Sequence, residues 1–210
     1  MTSASQHGAT LESAPTSTEH ALPTRAVHAG LAIAIVVQLA SSLIMNPKGA
    51  GNVAFEVHEY SGLAAFSLVL GFWLLAVLRR RGTPLARLFP WFSGSGRALV
   101  GADIKKYLSA AAKLRLPPHD GDTALVSAVH GLGLLLMTGM AASGTAFYVV
   151  NTGNPDAGGL VGAAMLVHKA LANLVWAYLI GHAGMALLAH YVGTLSIGTM
   201  WSFKGRPPRS

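Results

Sequence analysis

Four long apolar stretches, divided by polar segments, organise the chain. They run from about Arg25 to Met45, Phe55 to Leu78, Thr123 to Val150 and Val161 to Val192. Each supplies the roughly 20 apolar residues that a helix needs to cross a bilayer core of about 30 Å. Runs of this length predict helices, since a membrane barrel needs only about ten alternating residues per strand. The expected fold is therefore all-α and integral to the membrane, a four-transmembrane-helix bundle. Residues 1–24 are rich in Ser, Thr, Ala and Pro without apolar periodicity and predict a disordered tail. They lack the basic start and immediate apolar core of a secretory signal. Thr194 to Phe203 is shorter and predicts an interfacial segment. The chain then divides into a tail (1–24), a four-helix domain (25–192, with a loop at 79–122) and a C-terminal tail (193–210). No internal repeat of a soluble kind stands out.

Composition agrees. Hydrophobic residues make up 52% and charged residues 11%, against about a quarter charged in soluble domains, and the mean hydropathy is +0.48. The formal charge of +7 would admit a nucleic-acid partner, but the positions of the charges argue against one. The segment between the second and third stretches holds Arg79, Arg80, Arg81, Arg87, Arg97, Lys105, Lys106, Lys113 and Arg115. Arg25 precedes the first stretch, and Lys204, Arg206 and Arg209 follow the last. The other two loops carry only Lys48. The positive-inside rule then expects both termini and the central loop in the cytoplasm, with phospholipid headgroups as the partner of the basic excess. Within that loop, Gly101 to Leu116 predicts an amphipathic surface helix, its lysines toward headgroups or a partner and Ile104, Leu108 and Leu114 toward apolar material. The chain has no cysteine, which excludes disulfides, cysteine-ligated iron–sulfur clusters and covalently attached haem.

The candidate chemistry lies in histidines. Nine occur. His7, His20 and His119 fall in the tail and a loop. His28, His58, His130, His168, His182 and His190 fall in the apolar stretches. Ionisable groups in a span are costly and usually functional. His168 and His182 are fourteen residues apart, close to four turns, so both leave one helix face about 21 Å apart. Pairing by depth in an alternating bundle sets His28 with His182 and His58 with His168, each pair taking one ligand from the fourth helix. That is the arrangement two bis-histidine haems require. His130 opens the third helix at a depth similar to His28 and is an alternative partner for His182. His190, rotated by roughly 80° from His182, suits a headgroup position or a pocket beside the cofactor. Arg25 and Lys169 lie near ligand positions and are candidate partners for anionic haem propionates, as well as ordinary snorkelling cations. Gly30, Gly62, Gly131, Gly133 and Gly184 permit close approach of helices or a porphyrin. Trp73, Trp91 and Trp201 read as interfacial belt residues, and Trp176 as packing.

Arg25-Ala26-Val27-His28, His58-Glu59-Tyr60-Ser61-Gly62 at the start of the second helix, and the His168 to His182 spacing together resemble the bacterial di-haem cytochrome b561 or nickel-iron hydrogenase cytochrome b family, which includes the gamma subunit of respiratory formate dehydrogenase. The resemblance covers about residues 24–195. It implies ligands from the first, second and fourth helices, with two on the fourth, which favours His28 with His182 and His58 with His168 as ligands of haem iron over His130. It further implies two haem b cofactors, exchange with membrane quinone, and a multi-pass place in the bacterial inner membrane.

The leading functional expectation is an electron-transfer cytochrome b subunit of an oxidoreductase, moving electrons between quinone and a partner redox protein or subunit. It needs no catalytic side chains of its own, because the haem carries the chemistry. A stand-alone oxidoreductase passing electrons between a small periplasmic molecule such as superoxide and quinone is the alternative, for which Lys48 and Lys169 are the available outer cations. A non-redox metal-binding or transport protein is a third, disfavoured by histidines split between two depths.

Overall fold

The computed structural model describes residues 22–46, 51–78, 85–115, 123–150, 154, 156–193 and 196–201. The expected tail up to residue 21, Lys48, the Arg79–Arg81 run, the C-terminal cations and His7, His20 and His119 lie outside the described residues. Among the described residues seven α-helices follow one another: α1 (Leu22–Ser42), α2 (Val53–Leu78), α3 (Leu85–Leu88), α4 (Gly94–Ala111), α5 (Ala124–Val150), α6 (Gly159–Tyr191) and α7 (Gly198–Trp201), with a 3₁₀ turn at Pro90–Phe92. No strand occurs among the described residues. Four helices, α1, α2, α5 and α6, are long and apolar enough to cross a membrane, within three residues of the stretches expected. The first starts at Leu22 rather than Arg25, so the helix takes in the last residues assigned to the tail. Helix α7 falls within the segment expected to lie at the interface and packs on α1.

In a bilayer no water satisfies backbone groups, so each span must close its own hydrogen bonds as a helix. The bundle is ordered by neighbours: α1 lies along α2, α2 touches α5, and α6 lies mainly along α5. Its middle is an apolar layer drawn from all four spans, with Leu31, Ala34, Leu39, Ala65, Val69, Met137 and Val175 buried and Trp73 and Trp176 packed against them. A second cluster, Phe55, Phe147, Val161 and Ala164, closes the end away from Arg25. Trp176 is thus packing, as expected. Trp73 departs from the belt role. Its indole donates to Thr138 Oγ1 at 3.0 Å, tying α2 to α5, and its ring stacks on Phe89 at 5.9 Å.

The central segment folds back onto α5 and is more structured than expected. The amphipathic helix begins at Gly94, seven residues before Gly101, because the Ser93 hydroxyl accepts from Gly96 N at 3.0 Å and caps it. It ends at Ala111, short of Leu116, and Leu114 beyond it takes a left-handed φ of 51°. Lys105 and Lys106 are exposed, as expected. Ile104, Leu108 and Leu114 also lie on the outer surface; the half-buried face toward the bundle is Val100, Asp103, Tyr107 and Ala110. Asp103 explains the docking: its carboxylate accepts from Leu125 N at 3.0 Å, at the positive end of α5.

Gly131 makes the tightest of these contacts. A Cβ there would overlap the Leu88 carbonyl, which is backbone and cannot rotate away. Gly131→Ala is expected to lower stability by about 1–3 kcal/mol, whereas Gly71→Ala, whose Cβ meets nothing, leaves it unchanged or slightly raised. Thermal melts of the two variants in detergent check this.

Candidate cofactor site

The antiparallel run of α1 and α2 sets His28 near the start of α1 and His58 near the start of α2 at opposite ends of the bundle. Helix α6 is unbroken from Gly159 to Tyr191, so His168 and His182 stand about 21 Å apart along it. The bundle brings them together in pairs. The His28 and His182 rings lie 6.5 Å apart, centroid to centroid, at 59°. The His58 and His168 rings lie 6.2 Å apart at 83°. All four are half-buried. Three of the spans, α1, α2 and α6, are thus joined by two imidazole pairs, with the apolar middle layer between them.

A metal held between two imidazole nitrogens at about 2.0–2.1 Å each, with roughly 1.1 Å from nitrogen to ring centre, sets the centroids about 6.2–6.4 Å apart. The His58–His168 pair lies within that span and the His28–His182 pair just above it. Among the described residues no group of three or more His, Cys, Asp or Glu side chains is placed to hold a bare ion. Two axial nitrogens suit a metal whose other ligands come with a macrocycle.

Hydrogen bonds fix which nitrogen is available at the His58 level. His58 Nδ1 lies 3.0 Å from the Gln38 carbonyl and 3.1 Å from Ser41 Oγ. A carbonyl only accepts, so Nδ1 carries the proton and Nε2 keeps the lone pair. His168 Nδ1 lies 3.1 Å from Ser143 Oγ. That hydroxyl already donates its one proton to Gly139 O at 2.7 Å, so it accepts from Nδ1, and Nε2 again keeps the lone pair. The Gln38 amide donates to the His58 carbonyl and to Ser61 Oγ, the latter at 2.6 Å. At the other level, His28 Nδ1 is buried, and Tyr178 stacks on His182 at 5.3 Å and 9°. Gly133 makes room for the Tyr178 ring, and Gly144 lets α5 approach the His168 ring; Gly62 does the same for Gln38, while Gly30 makes ordinary contact and Gly184 none.

His130 joins the His182 level too, its ring 5.4 Å from His182 at 75°. That is shorter than a linear imidazole–metal–imidazole span, and His130 is exposed. His190 is exposed at the end of α6. Arg25, one turn before His28, is half-buried with a buried Nε, and Lys169 beside His168 is exposed. Ser41, Ser143, Gln38 and Tyr178 were not foreseen from sequence. Their signal was polarity inside apolar runs: both serines are buried.

A four-span helical bundle that crosses from α6 to its neighbours by histidine pairs at two depths defines a membrane cytochrome of the b type. The family comparison gives the particular lineage. Residues 19–203 match the model described as prokaryotic cytochrome b561, and the chain belongs to that family. It is accordingly a haem-binding membrane protein of electron transfer. Neither the curated proteins nor the solved structures yield a match.

A Cβ on Gly144 would sit 3.1 Å from His168 Cε1, and a branched side chain would push the ring off its present position. Gly144→Val is expected to lower bound haem per chain to about half while the helical content stays at the wild-type level. Pyridine haemochrome assay alongside circular dichroism checks it.

Proposed function

We propose that the chain holds two haem b groups, one between His28 and His182 and the other between His58 and His168, and conducts electrons between membrane quinone and a partner redox subunit. The observation that carries this reading is the pair of cross-bundle imidazole separations, 6.5 and 6.2 Å, at or close to the span of a bis-imidazole metal. Bound haem iron supplies one-electron redox chemistry, with its potential set by axial ligands, their hydrogen bonds and burial.

The chain's own residues do the rest. His28 and His182 hold one iron and His58 and His168 the other, through Nε2 at the second level. Gln38, Ser41 and Ser143 orient the second pair. Arg25 and Lys169 sit where cations would neutralise propionates near the two membrane surfaces, and His190 sits among headgroups. The apolar layer around Val69 and Val175 excludes water between the levels. With the basic segments at the Arg25 end, the positive-inside rule puts the termini and the α3–α4 segment in the cytoplasm and the His58–His168 pair toward the outside of a bacterial inner membrane. Exposed Lys105 and Lys106 on α4 then face anionic headgroups. The α1–α2 and α5–α6 connections are too short to form a substrate domain, and α3 and α4 of the longer central segment pack on α5, which favours a separate redox partner. Electron exchange with a small soluble oxidant or reductant has less support, because Lys169 is the sole described cation beside the outer pair.

The test is a reduced-minus-oxidised spectrum with haem quantified per chain. Two b-type haems are expected in the wild type. His168→Ala is expected to lose the outer one and His182→Ala the inner one, while His130→Ala keeps both. One haem in the wild type, or full retention in the His168 and His182 variants, overturns the assignment. Loss of the inner haem in His130→Ala moves that ligand from His28 to His130.

A further inference from the structure

The His58 level holds the same small device twice. On α1, the Ser41 hydroxyl bonds back to Val37 O at 2.7 Å and Gln38 O at 3.1 Å, and meets His58 Nδ1 at 3.1 Å. On α5, the Ser143 hydroxyl bonds back to Gly139 O at 2.7 Å and Met140 O at 3.1 Å, and meets His168 Nδ1 at 3.1 Å. In each case the carbonyl three residues before the serine, Gln38 or Met140, also hydrogen-bonds to the imidazole. Each serine follows an alanine and lies thirteen residues after a histidine, His28 or His130. The two hydroxyls are buried, serve opposite rings of one pair, and come from the two helices that flank it.

We infer that Ser41 and Ser143 are paired positioning residues that hold both imidazoles of the His58–His168 pair as Nδ1–H tautomers and lower the reduction potential of the haem bound there. The inference rests on that pair's being haem ligands. A serine whose proton is committed to a helix carbonyl presents only its lone pairs to the ring, so Nδ1 must donate. Donation from Nδ1 raises the basicity of the nitrogen that binds iron and fixes ring orientation. A more basic axial ligand favours ferric over ferrous iron, and two such ligands act on one iron in the same direction. At the His58–His168 level the device acts through both rings.

The test is potentiometric titration of the full-length protein in detergent or lipid, followed at the haem absorbance bands, for Ser41→Ala, Ser143→Ala and the double variant, with low-spin electron paramagnetic resonance as a second readout. The potential of the His58–His168 haem is expected to rise in each single variant and further in the double. A change of up to about tenfold in the ferric-to-ferrous ratio at fixed poise corresponds to about 59 mV for one electron. The other haem keeps its potential. Ser143→Thr and Ser41→Thr keep a hydroxyl able to make the same back-bond and are expected to stay near wild type. If an alanine variant sheds the haem and threonine at the same site restores it, the hydroxyl's role stands. Retained haem with unchanged potentials in the double variant overturns the inference, as does loss of haem in both the alanine and threonine variants or an equal shift of both haems. His168→Ala run in parallel separates the two levels of the claim: if it keeps all haem, the ligand assignment fails and the clamp with it, and if it loses one haem while the serine variants change nothing, the clamp alone fails.

Discussion

An imidazole inside a bilayer has two nitrogens to satisfy and no water to satisfy them with. An unmet polar group there costs on the order of several kcal/mol, so every intramembrane histidine must be met on both sides or not be there. That constraint organises the bundle around the His58 and His168 rings. On one side their Nδ1 atoms are taken by Ser41, Ser143 and the Gln38 carbonyl. On the other, each ring turns toward a second ring at the separation a shared metal demands. Neither serine is free to face elsewhere, because its proton is held by its own helix. The helices that carry them, α1 and α5, therefore cannot rotate without breaking a bond to a histidine on α2 or α6.

The rest of the packing is consistent with a frame built around something. Helix α6 buries few of its residues against the protein and lies mainly along α5, although it carries half of each histidine pair. Its closure onto α1 and α2 happens at two levels, with the Leu31, Val69 and Val175 layer as the spacer between. Elsewhere the spans are tied by local polar contacts that do not involve histidine. Trp73 with Thr138 ties α2 to α5, Asp103 ties α4 to the start of α5, and the Leu88 backbone lies on Gly131. These fix α5 as the central post, so that the gap between α6 and the α1–α2 pair is set by the frame.

The spans were legible because bilayer thickness imposes one strong requirement on sequence, a long apolar run, and little else competes with it. The pairing by depth was legible for a related reason: alternation of four spans leaves few ways to arrange histidines at two levels, and the structure brings His28 to His182 and His58 to His168. The start of α4 was not, since the expected helix began at Gly101, and it is the Ser93 cap, with Gly96 fitting tightly against Pro90, that sets the first helical turn at Gly94. The docking of α4 on α5 was not legible either, because it rests on the Asp103 carboxylate accepting from Leu125 N, a pairing across 22 residues that helix periodicity does not mark. Ser41 and Ser143 were hidden by type. Small polar residues are common at any membrane helix contact, and what marks these two is their equal distance from His28 and His130, a regularity visible in the sequence but meaningless until α1 and α5 are known to reach the same level.

Placing one histidine of each pair on one helix has a mechanical consequence. Helix α6 has 33 residues, about 50 Å at 1.5 Å per residue, well beyond what a bilayer core requires. It is a continuous rod through both histidine levels, so the distance between them is a property of helix geometry and not of side-chain packing. The opposing histidines, His28 and His58, come instead from two antiparallel helices, and their relative heights depend on how α1 and α2 slide against each other. The Gln38 side chain limits that sliding: its amide reaches the His58 carbonyl and Ser61 on α2, while Gly62 lets the two helices approach at that point. A one-turn slip of α1 against α2 would break these bonds, separate Ser41 from His58 and carry His28 away from His182 together. Both levels are thus registered by one contact near the end of the α1–α2 hairpin, and α6 transmits that register from one side of the membrane to the other.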